Sequence, residues 1–533
     1  MSPDHSPADF VEERASKPLQ APEASPGGEL VLEDLRAELA ASAGLSADEV
    51  APDLPILSLG LDSLRMAELQ ALLERSYGFE LELDEHLDAL TPRALAGRIA
   101  GWLEQRGPGR AAKARDARPS SPGVPLDPLQ QARDFTLARE LRAKDLLPYY
   151  VELARNDGDI CSHRGRDAIM LGSGNYLGLT TDRRVRKAVA AAALVEGSSL
   201  TGSRLFNGTT TLHRAVEEKL AAFLGRGDAL IFTTGYQANL GMLSALMGAG
   251  SVLFADESCH ASIFDGARVA GCQVIAFRHN DPSDLDRRLS RRPSRPTLVI
   301  VDGVYSMHGD LSPIEEVREV CDRHEVRLAL DDAHGIGTLG RSGKGSEEHV
   351  GRIGLADILS GSLSKSLASV GGYVAGDPDV IDWIRFRGRS IVFTAAIPPT
   401  ALAAASAALD ILQAEPWRLT RLRDNASYWR GGLKRLGFEV ATSASAIVPV
   451  LIGDDTKCMA AARSLLERGV FVNCAVHPAV PQQGALLRTT VMATHSREQL
   501  DAGLAAFAEV GAELGLLRAR SSRSQTAQGG ANP

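Results

Sequence analysis

Downstream of residue 130, short β-rich runs alternate with stretches of helical period, and this alternation leaves few folds open. The runs are ALIFTT (229–234), SVLFAD (251–256), QVIAF (273–277), TLVIVDG (297–303) and VRLALDD (326–332). Between the last two lies IEEVREVCDRH (314–324), which has the length and period of a crossover helix. A helix joining two such strands implies βαβ geometry, so an α/β domain with a mostly parallel sheet is expected. The C-terminal part returns to helices and separate strands such as IVPVLIG (447–453). That change of rhythm places a large domain at about 180–405 and a smaller α+β domain at about 406–518.

A chain of 533 residues exceeds what one core usually supports, so further domains are expected. Residues 1–28, rich in Pro, Ser, Ala and charge, read as disordered. In residues 29–105 the leucines recur near helical spacing, as in Leu30, Leu32, Leu35 and Leu39, and in Leu64, Leu69, Leu72 and Leu73. Residues 106–129 combine Pro, Gly, Ser and Arg without apolar periodicity and read as a linker. As a flexible coil it would average roughly 25 Å end to end. The polar tail 519–533 reads as disordered.

Composition narrows the function. A net charge of −9 with no block of Lys or Arg argues against nucleic acid as a partner. Six scattered cysteines, with no CxxC pair and no cluster with histidine, argue against a metal site and suit a reducing compartment. The N-terminus lacks the apolar stretch of a signal peptide. Apolar runs such as TALAAASAALDIL (400–412) fall short of the ~20 residues a membrane span needs. A cytoplasmic protein is the resulting expectation.

Two residues stand out chemically. Ser63, in GLDSL (60–64), sits where a loop gives way to an amphipathic helix. Asp, Ser and Gly there suit any helix start, so a plain N-cap explains them. An exposed hydroxyl at a helix N-terminus can also carry a phosphodiester, because that end of the helix favours negative charge. With its preceding helix, proline-bearing loop and acidic following face (Glu68, Glu74), the segment resembles an acyl carrier protein. The resemblance implies an all-α, four-helix carrier domain with 4′-phosphopantetheine on Ser63.

Lys365 lies in SGSLSKSLASVGGY (360–373). A surface lysine in a Ser/Gly loop is the bland reading, and a phosphate loop is excluded because GxxxxGK spacing is absent. Asp331 ends a predicted strand in DDAHGIG (331–337), His334 follows it, and His260 in ESCHAS (257–262) follows another strand. DDAH also suits a turn, and a lone histidine is often only a core residue. Yet carboxyl ends of parallel strands are where such sheets bind ligands. An aldehyde cofactor needs a lysine for its imine and an acid for its ring nitrogen.

These motifs, with GSGNYLGL (172–179), TTGYQAN (233–239), DGVYSMHGDLSP (302–313) and LLRTTVMATHS (486–496), resemble the α-oxoamine synthases over residues 130–518. That family is a branch of the fold type I pyridoxal 5′-phosphate enzymes. The resemblance implies that Lys365 forms the imine and Asp331 protonates the pyridine nitrogen. It sets His260 on the ring face, and His334 and Ser306 at the phenolic oxygen. Phosphate contacts fall to the amides of Gly235 and Tyr236, to Ser362, and to Thr394 reaching into the other subunit of a homodimer. Arg488 and Asn175 hold the amino-acid carboxylate.

The implied reaction is a decarboxylative, Claisen-type condensation of an amino acid with an acyl thioester, giving an α-amino ketone. The fused carrier is the implied donor, which requires a phosphopantetheinyl transferase and an acyl-loading enzyme. Transamination, simple decarboxylation, or a carrier protein with a degenerate catalytic half are the alternatives. The small Ser203 leaves room for alanine or serine beside glycine, and the acyl chain length stays open.

Overall fold

The computed structural model describes residues 26–43, 47–53, 56, 73, 90–105 and 128–517, apart from 135, 145, 293, 442, 478 and 482. The chain divides into two compact units, 1–128 and 129–533. Ser63, Leu64, Leu69, Leu72 and the stretch 106–127 lie outside the described residues.

In the first unit a helix spans Pro26–Ala43, so it begins inside the stretch expected to be disordered. Leu32, Leu35 and Leu39 face inward as their spacing predicts, joining Val50, Ile56, Leu73, Leu90, Leu95 and Ile99 in one core. A second helix, Pro92–Gln105, opens on a proline whose missing N–H costs nothing at that position. Arg93 clamps Asp53 through a fork of 2.8 and 3.1 Å. Arg36 reaches the carbonyls of Val50 and Ala47 at 2.7 and 2.8 Å, closing the loop against its helix.

The second unit is built on a seven-stranded sheet in the order 228–232, 372–376, 358–362, 327–331, 297–302, 252–256, 273–277. Only Gly372–Gly376 runs antiparallel to its neighbours. The strands Val252–Asp256, Ile358–Ser362 and Gly372–Gly376 are buried at every position, as strands covered on both faces must be. The crossover helix Ile314–Arg323 buries Ile314, Val317, Val320 and Cys321. Several helices of this unit start on oxygen-bearing caps: Asp182, Thr210, Thr234, Asp281 and Asp377 each accept a backbone N–H of the first turn.

The C-terminal part carries an antiparallel sheet, 439–440, 447–453, 485–490, 473–475, beneath helices Trp417–Leu436, Asp455–Glu467 and Arg497–Glu513. Trp429 anchors it, edge-on to Phe507 at 5.4 Å, its indole N–H on Thr489 Oγ1 at 2.8 Å. The residues ahead of the large sheet join this side of the molecule. Strand Arg166–Met170 pairs in parallel with Val470–Phe471, and Leu171 accepts from the Thr490 N–H at 2.7 Å.

Two buried histidines make the unit acid-sensitive. Burial, with the charge of Arg204 added, pushes His213 down to about 3, and burial pushes His495 down to about 4. Below 6.5 both take up a proton when the chain unfolds, so stability is unaffected by them above 6.5 and falls as the pH drops from there toward their folded values. The slope is up to about 1.4 kcal/mol per pH unit for each histidine. In urea titrations between pH 6.5 and 4.5, His495→Gln is therefore expected to show a shallower loss than the parent. Parallel pH profiles would contradict this.

Candidate active site

Four strand ends meet at one edge of the large sheet. After Val252–Asp256 comes His260, the N-cap of helix Ala261–Ala270. Thr297–Asp302 and Arg327–Asp331 end in register, so Asp302 and Asp331 stand side by side. Ile358–Ser362 runs straight into the turn that holds Lys365. Between them is a cavity of about 260 Å³ lined by Gly235, Tyr236, His260, Ser306, Asp331, His334, Ser362 and Lys365. Eight residues singled out in the sequence are thus brought together, as expected at the carboxyl edge of a parallel sheet.

Lys365 is half-buried, and Gly174 lies so close that a Cβ there would stand 3.2 Å from the lysine Cγ. Burial lowers the Lys365 ammonium below the usual lysine value and Arg488 adds to this, while Asp331 and Asp302 oppose it. His334 accepts or donates at Nδ1 to the Tyr176 hydroxyl, 2.7 Å away. Burial first, then the charges of Lys365, Arg488 and His260, hold it well below the ordinary imidazole value, so the ring is neutral. Asp331 accepts the Ala333 N–H on Oδ1 at 3.0 Å and Asn239 Nδ2 on the other oxygen at 2.7 Å.

Thr234 caps the helix Gly235–Leu246, whose first residues line the cavity together with Ser362 and Ser364. Ser362 Oγ and Ser364 Oγ are 2.6 Å apart. Gly372 makes this arrangement possible: a Cβ there would come within 2.5 Å of Gly235 Cα and of the Thr234 carbonyl. Gly372→Ala must therefore part strand from helix, and overpacking of this kind costs about 1–3 kcal/mol. The expected result is a fall of about tenfold or more in cofactor affinity by equilibrium dialysis. An unchanged affinity would refute that geometry.

Arg488, Asn175, Thr394 and Ser203 lie outside the cavity wall. Arg488, on strand Ala485–Thr490, donates through Nε to the Ser306 carbonyl at 2.5 Å. Asn175 is buried, and its amide is spent on its own loop: Oδ1 accepts from Leu179 and Thr180, and Nδ2 reaches Thr180 Oγ1 at 2.8 Å. Thr394 accepts a long 3.5 Å contact from Gln237 Nε2. Ser203 pairs with Ala395 beside it. Tyr236 turns its hydroxyl to Asp265.

Several lining residues were not singled out beforehand, namely Asn239, Ser262 and Asp302. All three fall within the quoted motifs TTGYQAN, ESCHAS and DGVYSMHGDLSP, which was the available signal. Asp302 is buried, accepts the His260 N–H at 3.2 Å, and leaves its other oxygen without a partner. Burial and the neighbouring Asp331 and Asp256 keep its carboxyl well above the carboxylate range.

The donor set fits pyridoxal 5′-phosphate: an amine of lowered pKa, a fixed carboxylate, and a helix N-terminus with hydroxyls for a phosphate. Among the described residues no cluster suits a metal ion and no helix is long and apolar enough to cross a membrane.

Comparison with known proteins agrees with this fit. The "Aminotransferase class I and II" family model matches residues 166–507, and "Phosphopantetheine attachment site" matches 33–99. Serine palmitoyltransferase of Sphingobacterium spiritivorum is 39% identical over 368 residues, 69% of this chain and 92% of that protein. The 8-amino-7-oxononanoate synthase of Thermoanaerobacter pseudethanolicus is 40% identical over 355 residues, 66% and 90% of the two chains. A high-resolution structure of SPT with its PLP internal aldimine superposes with a TM-score of 0.71 at 36% identity, covering 73% of this chain and 100% of that one. The chain therefore belongs to the class I and II aminotransferases, as a pyridoxal 5′-phosphate-dependent acyltransferase of the α-oxoamine synthase type that condenses an amino acid with an acyl thioester and carries a phosphopantetheine-binding domain upstream.

Proposed function

We propose that Lys365 is the imine-forming lysine and the α-proton base of this condensation, and that the acyl donor hangs from Ser63 of a four-helix carrier domain in the same polypeptide. The observation that carries the reading is the meeting of Lys365 and Asp331 in one cavity, in a chain that also matches a phosphopantetheine attachment site. Pyridoxal phosphate, when bound, supplies an aldehyde for exchange with the substrate amine and a protonated ring that draws off the electron pair of a breaking Cα bond.

The side chains do the rest. Asp331 keeps the proton on the ring nitrogen. Lys365 removes the α-proton; its lowered pKa makes the neutral amine available at a lower pH than in a free lysine. His260 covers the ring face and keeps water away, while His334 and Ser306 hold the phenolic oxygen. Gly235 and Tyr236 give backbone N–H groups to the phosphate and Ser362 gives its hydroxyl. Arg488 grips the amino-acid carboxylate bidentately, with Asn175 shaping the loop opposite. Once the new carbon–carbon bond forms, the thiolate would depart and take a proton from solvent, the carboxylate would leave as carbon dioxide, and Lys365 would return its proton to Cα.

Thr394 completes the phosphate site of the other subunit in a homodimer. The exposed Phe206 and Phe393, 81% and 75% accessible in the single chain, support a partner at that surface. Six buried, free cysteines suit a cytoplasmic address. A phosphopantetheinyl transferase and an acyl-loading enzyme are the required partners. The relatives' name gives serine and palmitoyl, and we place serine first, with alanine and glycine as competitors.

The test incubates phosphopantetheinylated protein with these amino acids and a series of acyl thioesters, followed by mass spectrometry. A product that gains the acyl group and loses carbon dioxide supports the reading. A keto acid, or an amine without an added acyl group, overturns it.

A further inference from the structure

His260 and Asp331 come from different strand ends, yet two buried side chains join them. Asn239, 2% exposed, donates from Nδ2 to Asp331 Oδ2 at 2.7 Å and to Ser262 Oγ at 2.8 Å. Ser262 is wholly buried; its Oγ lies 2.8 Å from His260 Nδ1, and its N–H lies 3.3 Å from the same nitrogen.

Donor counting fixes the direction of each bond. The Asn239 amide must turn its NH₂ to both neighbours, because the flipped amide would set its oxygen against a carboxylate. Its own Oδ1 is buried without a partner, so the NH₂ side alone dictates the placement. Ser262 Oγ already accepts from Asn239 and gives its proton to His260 Nδ1. That nitrogen thus accepts from two donors, which leaves the ring proton on Nε2. Asp331 is held on both oxygens, by Ala333 N–H and by Asn239, so its carboxylate cannot rotate.

We propose that Asn239 and Ser262 are positioning residues: one hydrogen-bonded chain locks His260 as the Nε2–H tautomer and fixes the plane of Asp331. The face and the edge of the cofactor are thereby set together. In so dry a setting, cutting one bond leaves a buried group orphaned and loosens both ends. This rests on the reading that His260 and Asp331 flank pyridoxal phosphate.

The experiment uses the full chain with Ser262→Ala, Asn239→Asp and the double variant. Asn239→Asp keeps the shape but removes the donor facing Asp331. Thermal unfolding of each apo-protein reports the fold, equilibrium dialysis the dissociation constant for pyridoxal phosphate, and visible circular dichroism the orientation of the bound ring. Each single variant is expected to weaken cofactor binding about tenfold, to change the visible dichroism, and to lower kcat while leaving KM for the amino acid within about twofold. The double variant should be no worse than Asn239→Asp alone, because the two residues act in one chain. Should Asn239→Asp fail to fold, Ser262→Ala decides alone. Affinity and dichroism matching wild type in Ser262→Ala, or additive losses in the double variant, overturn the proposal. Wild-type protein that binds no pyridoxal phosphate would instead overturn the reading beneath it.

Discussion

Lys365→Ala is expected to lower turnover by about 10⁴-fold, the upper range for removal of a positioned base, and to abolish the visible absorbance of the cofactor-loaded protein. Lost chemistry can be separated from lost fold by the sign of the stability change. Burial depresses the pKa of Lys365, so the unfolded chain binds more protons than the native one, and an ammonium at this place costs stability at neutral pH. Removing it should leave the apo-protein melting temperature unchanged or raised. A variant that keeps a tenth or more of its activity would show that another group takes the α-proton. His334 is a poor acceptor for that proton, since its own burial and the charge of Arg488 disfavour the imidazolium that would form.

Ser63→Ala is expected to abolish turnover of carrier-bound acyl groups and to leave the catalytic unit able to take free acyl-CoA. A tether that matches its span raises the local donor concentration to ~mM. Against about 10 µM acyl-CoA the loaded wild type should therefore be faster by about a hundredfold in single-turnover assays. Equal rates from loaded wild type and from Ser63→Ala supplied with acyl-CoA would show that the upstream domain does not serve this reaction. The phosphopantetheine attachment match covers residues 33–99 and so includes Ser63.

The strands that could be read were those whose apolar runs exceed the needs of a loop. QVIAF forms Gln273–Phe277 as expected, and TLVIVDG and VRLALDD differ from Thr297–Asp302 and Arg327–Asp331 only at their ends. Ile358–Ser362 and Gly372–Gly376 escaped notice because Ser and Gly cut their apolar runs to two or three residues. Their small residues reflect close approach: a Cβ on Gly361 would stand 2.6 Å from the Tyr373 ring and hydroxyl. Nothing local signals such contacts. The pairing of Arg166–Met170 with Val470–Phe471 was equally hidden, since its partners lie some three hundred residues apart.

The site divides in the same way. Asp331, His260 and His334 were legible because each ends or follows a predicted strand, and Lys365 because of its place in SGSLSKSLASVGGY; the parallel sheet delivers all of them to one edge. Asn175 shows the limit: its motif was legible, but only the fold reveals an amide committed to Leu179 and Thr180. Asn239 sits in mid-helix, where asparagine usually faces solvent, and Ser262 beside a helix start, where serine usually caps.

By itself the sequence determined the α/β scaffold, the order of its chemical motifs and the candidate residues that the fold gathers round one cavity, because periodicity and residue type are local properties. Only the tertiary structure decided which oxygen of Asp331 meets Asn239, which nitrogen of His260 meets Ser262, and that Asp302 is sealed beside Asp331 with one oxygen unpartnered. Those outcomes depend on strand register and burial, which arise when distant segments share a core and water is excluded from between them.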